Sequence, residues 1–208
     1  MDTKEMPLTF VREEEDIKRL NNWMFDNIQA YIKGRTLELG SGNGSIASLF
    51  IARELPIHLS EEDDVKREIL HKQFDGISAV RMIHNIDFHH LNFNQIYADK
   101  AGAFSTIIAI NIPEHGVFNR SWLQNAKCFL RIRGHFIVAT PANAVLFNDA
   151  ASNLEDLKEY NLKIARNLMG DTFEVLKVRY FDWSPGPNRL VFDQSGLYTL
   201  AIFRKKQN

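Results

Sequence analysis

One stretch constrains what this chain can become more than any other: Thr36-Leu37-Glu38-Leu39-Gly40-Ser41-Gly42-Asn43-Gly44. An apolar-rich run carrying an acid passes into glycines at alternate positions. Ser45-Ile46-Ala47-Ser48-Leu49-Phe50-Ile51-Ala52 then reads as a helix. Strand, glycine turn and helix together bring backbone close to a small ligand at the carboxyl edge of an α/β sheet. Side chains would block that approach, and such turns often need positive φ, so glycine is the residue that fits. A dinucleotide-binding fingerprint would place its third glycine at position 45, where this chain has Ser45.

The residues before this turn predict helix. Glu13 to Ile32 carries Ile17, Leu20, Met24 and Ile28 at helical spacing, with Trp23, Phe25 and Tyr31 beside them. Core packing accounts for such an aromatic stripe more simply than a lid over a ligand. Beyond the turn, Leu55 to Ser60 predicts a second strand, with Pro56 at its start where no ladder donor is lost. It runs into Glu61-Glu62-Asp63-Asp64, acids that suit the N-terminus of a helix over Val65 to Phe74. Glu61, at the strand tip, can accept both hydroxyls of a ribose. Ile77 to His84 predicts a third strand ending in Asn85-Ile86-Asp87-Phe88. Asp87 can accept from an adenine amino group while Phe88 packs on the ring. Asp99 competes for that role but lies beyond a short helix. His84, His89 and His90 match no metal-ligand spacing, so they read as solvated loop histidines and no metal is expected.

Phe104 to Asn111 is an almost continuous apolar run, the mark of a central parallel strand covered on both faces. It exits into Ile112-Pro113-Glu114-His115-Gly116, followed by a helix over Trp122 to Leu130 and a fifth strand over Arg133 to Thr140, closed by Pro141. Asn153 to Met169 is again helical. Phe173 to Phe181 and Leu197 to Phe203 are β-rich, and Ser184-Pro185-Gly186-Pro187 between them is a turn, so the two should pair antiparallel at a sheet edge. The expected fold is α/β: a single Rossmann-like doubly wound, mostly parallel sheet with an antiparallel C-terminal hairpin. It forms one domain over 1–208, with 1–33 as an N-terminal helical extension. Right-handed crossovers then gather the glycine turn, Glu61, Asp87 and Asn111 along one carboxyl edge.

Composition narrows the partners. A formal net charge of -1 gives no reason to expect a polyphosphate, so no nucleic acid is expected. Cys128 is the single cysteine, which rules out an intrachain disulfide and suits a reducing compartment; its helical setting predicts a buried structural thiol. The first residues show no basic segment leading into an apolar run, and no apolar run approaches the ~18 residues of a membrane span. A cytoplasmic location is the expectation.

Taken together, these features resemble class I S-adenosylmethionine (SAM)-dependent methyltransferases, from about Trp23 to the C-terminus. Glu38-Leu39-Gly40-Ser41-Gly42-Asn43-Gly44 is similar to that family's first motif, Leu59-Ser60-Glu61 to its ribose-binding strand end, and Asn85-Ile86-Asp87 to its adenine position. Asn111-Ile112-Pro113-Glu114-His115 resembles a segment ending in Glu-His in the small-molecule branch. The resemblance implies SAM as cofactor and a small-molecule or metabolite acceptor. Glu38 and Gly40 would hold the methionine part, Gly42 and Gly44 permit close approach, and Ser41 and Glu62 stand with them. Glu61 would take the ribose, Asp87 and Phe88 the adenine, and Asn111 the sulfonium end. His115 would face the substrate, as a general base or as a binding residue. Two departures stand out. The family's Pro-Gly-Gly before the fifth strand is replaced by Ile132-Arg133-Gly134, and Glu114 occupies the place of the aromatic that stacks on nucleic-acid bases in amino-methyltransferases. The alternatives are a SAM-binding protein without turnover, a nicotinamide-dependent oxidoreductase and an RNA methyltransferase.

Overall fold

The computed structural model describes residues 14–110, 120–141, 169–182 and 197–207. Its centre is the apolar run noted above: Phe104–Ile110 forms strand β4, buried along its whole length. To one side lie β1 (Thr36–Leu39), β2 (Ile57–Ser60) and β3 (Val80–His84). To the other lie β5 (Leu130–Pro141), β7 (Leu197–Lys205) and β6 (Phe173–Asp182). The order is β3-β2-β1-β4-β5-β7-β6. All pairings are parallel up to β5, and β7 is antiparallel to both β5 and β6.

Residue type decides which strands are central. Every residue of β1, β2 and β4 is buried, as parallel strands covered on both faces require. At one margin β3 leaves Arg81 and Met82 exposed. At the other, β6 carries Lys177 and Arg179, whereas β7 contributes Leu200, Ala201, Ile202 and Phe203 to the core. The hairpin therefore inserts its apolar second strand beside β5 and leaves the charged one outside, where charge discourages further pairing.

Helices cover both faces. On one, α1 (Glu14–Ile28), its continuation in the 3-10 turn Gln29–Tyr31, α2 (Ser45–Ile51) and α3 (Asp64–Phe74) pack Met24, Phe25, Phe50, Leu70 and Phe74 onto Ile57, Leu59, Ile108 and Ile137. On the other, α4 (Phe93–Ile96) and α5 (Arg120–Phe129) build an aromatic cluster. The Phe129 ring lies 5.0 Å from Phe93, 5.6 Å from Phe88 and 6.1 Å from Phe104. No helix among the described residues is long and apolar enough to cross a membrane.

Several boundaries differ from the sequence reading. The fifth strand begins at Leu130, not Arg133, and α5 stops at Phe129. The expected turn at Ile132-Arg133-Gly134 is instead an irregularity within β5, where the register with β4 shifts between Phe104 and Thr106 and Arg133 takes a φ of 61°. The third strand is shorter than Ile77 to His84, because Ile77 N–H bonds back to Phe74 and Val80 N–H to Ile77 in a turn. Cys128 is half-buried and not enclosed. The predicted helix from Asn153 falls, apart from Met169, outside the described residues, as does the Ser184 to Pro187 turn.

Gly44 ties the glycine turn to this packing. Its φ is +80°, and a Cβ there would come within 2.3 Å of the Phe74 ring. Left-handed backbone costs a side chain roughly 1–2 kcal/mol, and an overpacked contact about 1–3 kcal/mol more. Gly44→Ala is expected to lower the unfolding free energy by roughly 2–5 kcal/mol in urea titration; a loss below ~1 kcal/mol would mean that Phe74 yields freely.

Candidate functional site

The ends of β1, β2 and β3 are laced together at the carboxyl edge. Beyond the β1–β2 ladder, Ser41 N–H donates to Ser60 O at 2.9 Å, and Ser60 Oγ donates to Glu38 O at 2.9 Å. Glu61 N–H reaches His84 O at 3.1 Å, tying β2 to β3. The turn itself bends through Gly40, Gly42 and Gly44 at φ of 62°, 53° and 80°, closed by Gly44 N–H to Ser41 O at 2.8 Å. Among the described residues a Cβ at Gly42 would meet no atom within 4 Å, so its missing side chain opens space and does not relieve packing.

Two acids face this turn in different surroundings. Glu61 is 6% exposed; its Oε2 accepts Gly42 N–H at 2.8 Å and its Oε1 accepts Asp63 N–H at 3.1 Å. A carboxylate offers about four lone-pair sites, so each oxygen retains capacity for another donor. Glu38 is 3% exposed within β1, paired across to Leu59 and Ile108. Among the described residues its Oε2 has no hydrogen-bond partner, and neither has the buried Ser41 Oγ. Burial pushes the Glu38 carboxyl up to about 8. The Ser41 side chain pulls it down without reaching hydrogen-bond geometry, and the Glu61 charge pushes it further up. Buried polar atoms normally find partners, so a neighbouring pair of orphans marks a place built to receive one.

The adenine-edge expectation divides. Asp87 is half-buried, with Oδ1 accepting His89 N–H at 2.7 Å and its own N–H donating to Tyr97 Oη at 3.2 Å. Phe88 does not offer its ring to a ligand. It is 4% exposed, stacked on Phe93 at 5.4 Å and packed against Trp122 at 5.7 Å, with its carbonyl held by Asn125 Nδ2 at 2.8 Å. Burying that ring in the aromatic cluster makes it core. Asp99 is exposed and paired with Lys100 at 2.8 Å. Glu62 is also exposed, its carbonyl taken by Arg67. Asn111 and His115 lie outside the described residues.

His84 corrects another expectation: it is not a solvated loop residue but 8% exposed, stacked on His58 at 5.4 Å. Arg35 Nε donates to His58 Nε2 at 3.1 Å. The His58 proton therefore sits on Nδ1 and is shared with His84 Nε2 at 3.2 Å. Burial lowers both imidazoles to about 4, with Arg35 next in effect at His58 and Lys100 at His84. Among the described residues no group of three or more His, Cys, Asp or Glu could hold a metal ion.

Sequence reasoning missed Ser60, Tyr97 and Arg67. Ser60 stood beside Glu61 in the strand-end motif, and Tyr97 preceded the competing Asp99. Arg67 carried no signal beyond being a cation just past four acids.

No family model matches the chain, and no curated protein does. Solved structures do. The N-methyltransferase NodS from Bradyrhizobium japonicum WM9, in complex with S-adenosyl-l-homocysteine, superposes with a TM-score of 0.62 at 9% identity, covering 99% of this chain and 94% of that one. A SAM-dependent methyltransferase from Methanosarcina mazei gives a TM-score of 0.59 at 9% identity, covering 88% and 98%. The [4+2]-cyclase SpnF gives 0.62 at 16% identity, covering 95% and 85%. At such identities the likeness is one of architecture: this chain has the class I SAM-dependent methyltransferase fold, a seven-stranded sheet with its antiparallel strand β7 between β5 and β6.

Proposed function

We propose that the protein binds SAM at the glycine turn and transfers its methyl group to a small-molecule acceptor. The observation that carries this reading is the orphaned pair, Glu38 Oε2 and Ser41 Oγ, buried beside a turn whose Gly42 leaves open space. An acid held near neutrality by burial asks for a cationic donor, and the ammonium of a methionine moiety is one. Glu61, with both oxygens anchored by backbone N–H groups, keeps lone pairs for two ribose hydroxyls. Asp87, its Oδ1 engaged, keeps Oδ2 for the adenine amino group. The ring of Phe88 is not part of this seat.

When bound, SAM supplies a methyl group on an activated sulfonium, which a heteroatom or carbanion of the acceptor displaces in line. The protein's contribution is then mainly placement of the reactants. Asn111 is assigned to the methionine and sulfonium end, and His115 to the substrate side, by their match to the family's motif after the fourth strand. A nicotinamide cofactor fits less well for an electrostatic reason. Its pyrophosphate would approach Glu38 and Glu61, whereas SAM brings net positive charge to the same acids.

Calorimetric titration with SAM and, separately, with NAD tests the cofactor: heat of binding is expected with SAM alone, and saturable NAD binding would overturn the assignment. Labelled-methyl transfer to a panel of small acceptors then separates enzyme from binder. His115→Ala is expected to abolish turnover with SAM affinity retained; a collapse of that affinity would move His115 into the cofactor seat.

Glu38 makes the site pH-dependent. Its pKa in the folded chain, about 8, lies above the ordinary glutamate value of 4.5, so the native state holds the proton more tightly between those values. The corresponding stability is fully present below about 4.5 and is lost as pH rises through about 8. Binding of a cation at Glu38 reverses this, expelling the proton below pH 8. SAM affinity is therefore expected to rise with pH up to about 8 and then level, with proton release visible in buffers of different ionisation enthalpy. Glu38→Gln should flatten that profile and weaken binding roughly 10- to 100-fold, the scale of one hydrogen bond to a charged group. A pH-independent wild type would contradict the role given to Glu38.

A further inference from the structure

One guanidinium is bonded to three of the four residues from Glu61 to Asp64. Arg67, near the start of α3, sends Nη1 back to Glu61 O at 3.1 Å and Glu62 O at 3.2 Å, while Nη2 pairs with Asp64 Oδ1. Its side chain is only 18% exposed. Asp63 is engaged otherwise: its Oδ1 caps α3 by accepting Val65 and Lys66 N–H at 2.9 Å each. Glu61 is thus gripped on every side. Its N–H is held by His84 O, its carbonyl by Arg67, and its carboxylate by Gly42 and Asp63.

The geometry suits arginine specifically. A planar fork can reach two carbonyls and a carboxylate at once, which the single point of a lysine ammonium cannot. The contact also sits where it matters for orientation. Successive carboxylates repel one another, and Arg67 is the cation bonded into the segment that turns from β2 into α3. With it in place, the peptide after Glu61 cannot swing, and the lone pairs of Glu61 left over from Gly42 and Asp63 stay in one position.

We propose that Arg67 is a positioning residue for ribose recognition, acting through the Glu61–Glu62 peptide to aim the Glu61 carboxylate. This rests on the SAM-binding reading above. Among the described residues the hydrogen bonds of Arg67 run to Glu61, Glu62 and Asp64 and not to the glycine turn or Asp87, so its effect should be confined to the hydroxyl contacts.

The test compares two ligands across a set of variants. S-adenosylhomocysteine and its 2′,3′-dideoxy analogue are titrated calorimetrically into wild type, Arg67→Lys, Arg67→Met and Glu61→Gln, with thermal unfolding run in parallel. Wild type is expected to prefer the hydroxylated ligand by at least roughly 100-fold, the lower end of the scale for two hydrogen bonds to a charged acceptor. Arg67→Met should cut that preference to below roughly 10-fold while affinity for the dideoxy analogue stays within about twofold. Arg67→Lys should fall between, and Glu61→Gln should also erode the preference. Equal weakening of both ligands, with the ratio preserved, would mean that Arg67 only supports the fold and would overturn the proposal. If Arg67→Met fails to fold, the ratio in folded Arg67→Lys decides in the same way. A wild type that binds S-adenosylhomocysteine without preferring its hydroxyls overturns the role of Glu61 and Arg67 together. One that does not bind it at all overturns the cofactor reading itself.

Discussion

The carboxylate of Glu61 is the constraint on which this architecture turns. Parallel strands stop bonding to one another where their loops diverge, and here β1 leaves toward α2 while β2 leaves toward α3. Glu61 spans that divergence, accepting Gly42 N–H from one loop and Asp63 N–H from the other. A hydrogen bond to a charged group contributes about 1.5–3 kcal/mol, which offsets the entropy that a run of glycines loses on ordering. The bridge also closes a circuit. Asp63 caps the start of α3, and Phe74 at the end of α3 lies against Gly44, the last glycine of the same turn. Moving any member of that circuit displaces the others.

How far the molecule could be read from its sequence follows from the range of each cause. β4 was legible because seven successive buried residues favour an almost continuous apolar run, and the glycine turn because its backbone angles admit few other residues. The terminal hairpin was legible through its two β-rich runs. What stayed hidden depended on partners far along the chain. An aromatic after an acid looks the same whether it faces a ligand or the core, and only Phe93, Trp122 and Phe129 decide that Phe88 is core. His84 ends a strand beside a loop, yet its imidazole is claimed by His58 and, through it, by Arg35. Arg67 reads as an ordinary helix-surface cation until its fork is seen on two carbonyls. The start of β5 was hidden by an irregularity at Arg133 that mimics a turn.

The site joins two acids that are hydrogen-bonded differently. Glu38 is enclosed between β2 and β4 with no partner on Oε2 among the described residues, while Glu61 accepts two backbone donors. That difference suits recognition of a cation by the one and hydroxyls by the other.

That arrangement bears on where rate acceleration can arise. In the proposed complex the acids hold the ammonium, the ribose and the adenine, and none of these changes charge as the methyl group leaves. Contacts equal in ground and transition states anchor the cofactor and lower its KM without raising kcat. An acid set against the sulfonium would be worse, since it would favour the charged reactant over the neutral product. The laced strand ends keep Glu38 and Glu61 at the turn, fixed by backbone N–H groups and strand pairing. Differential stabilisation must then come from the acceptor side, through the alignment of its attacking atom. A fold that seats its cofactor by uniform binding leaves that side free to vary, which is consistent with one architecture serving methyltransferases and a [4+2]-cyclase alike.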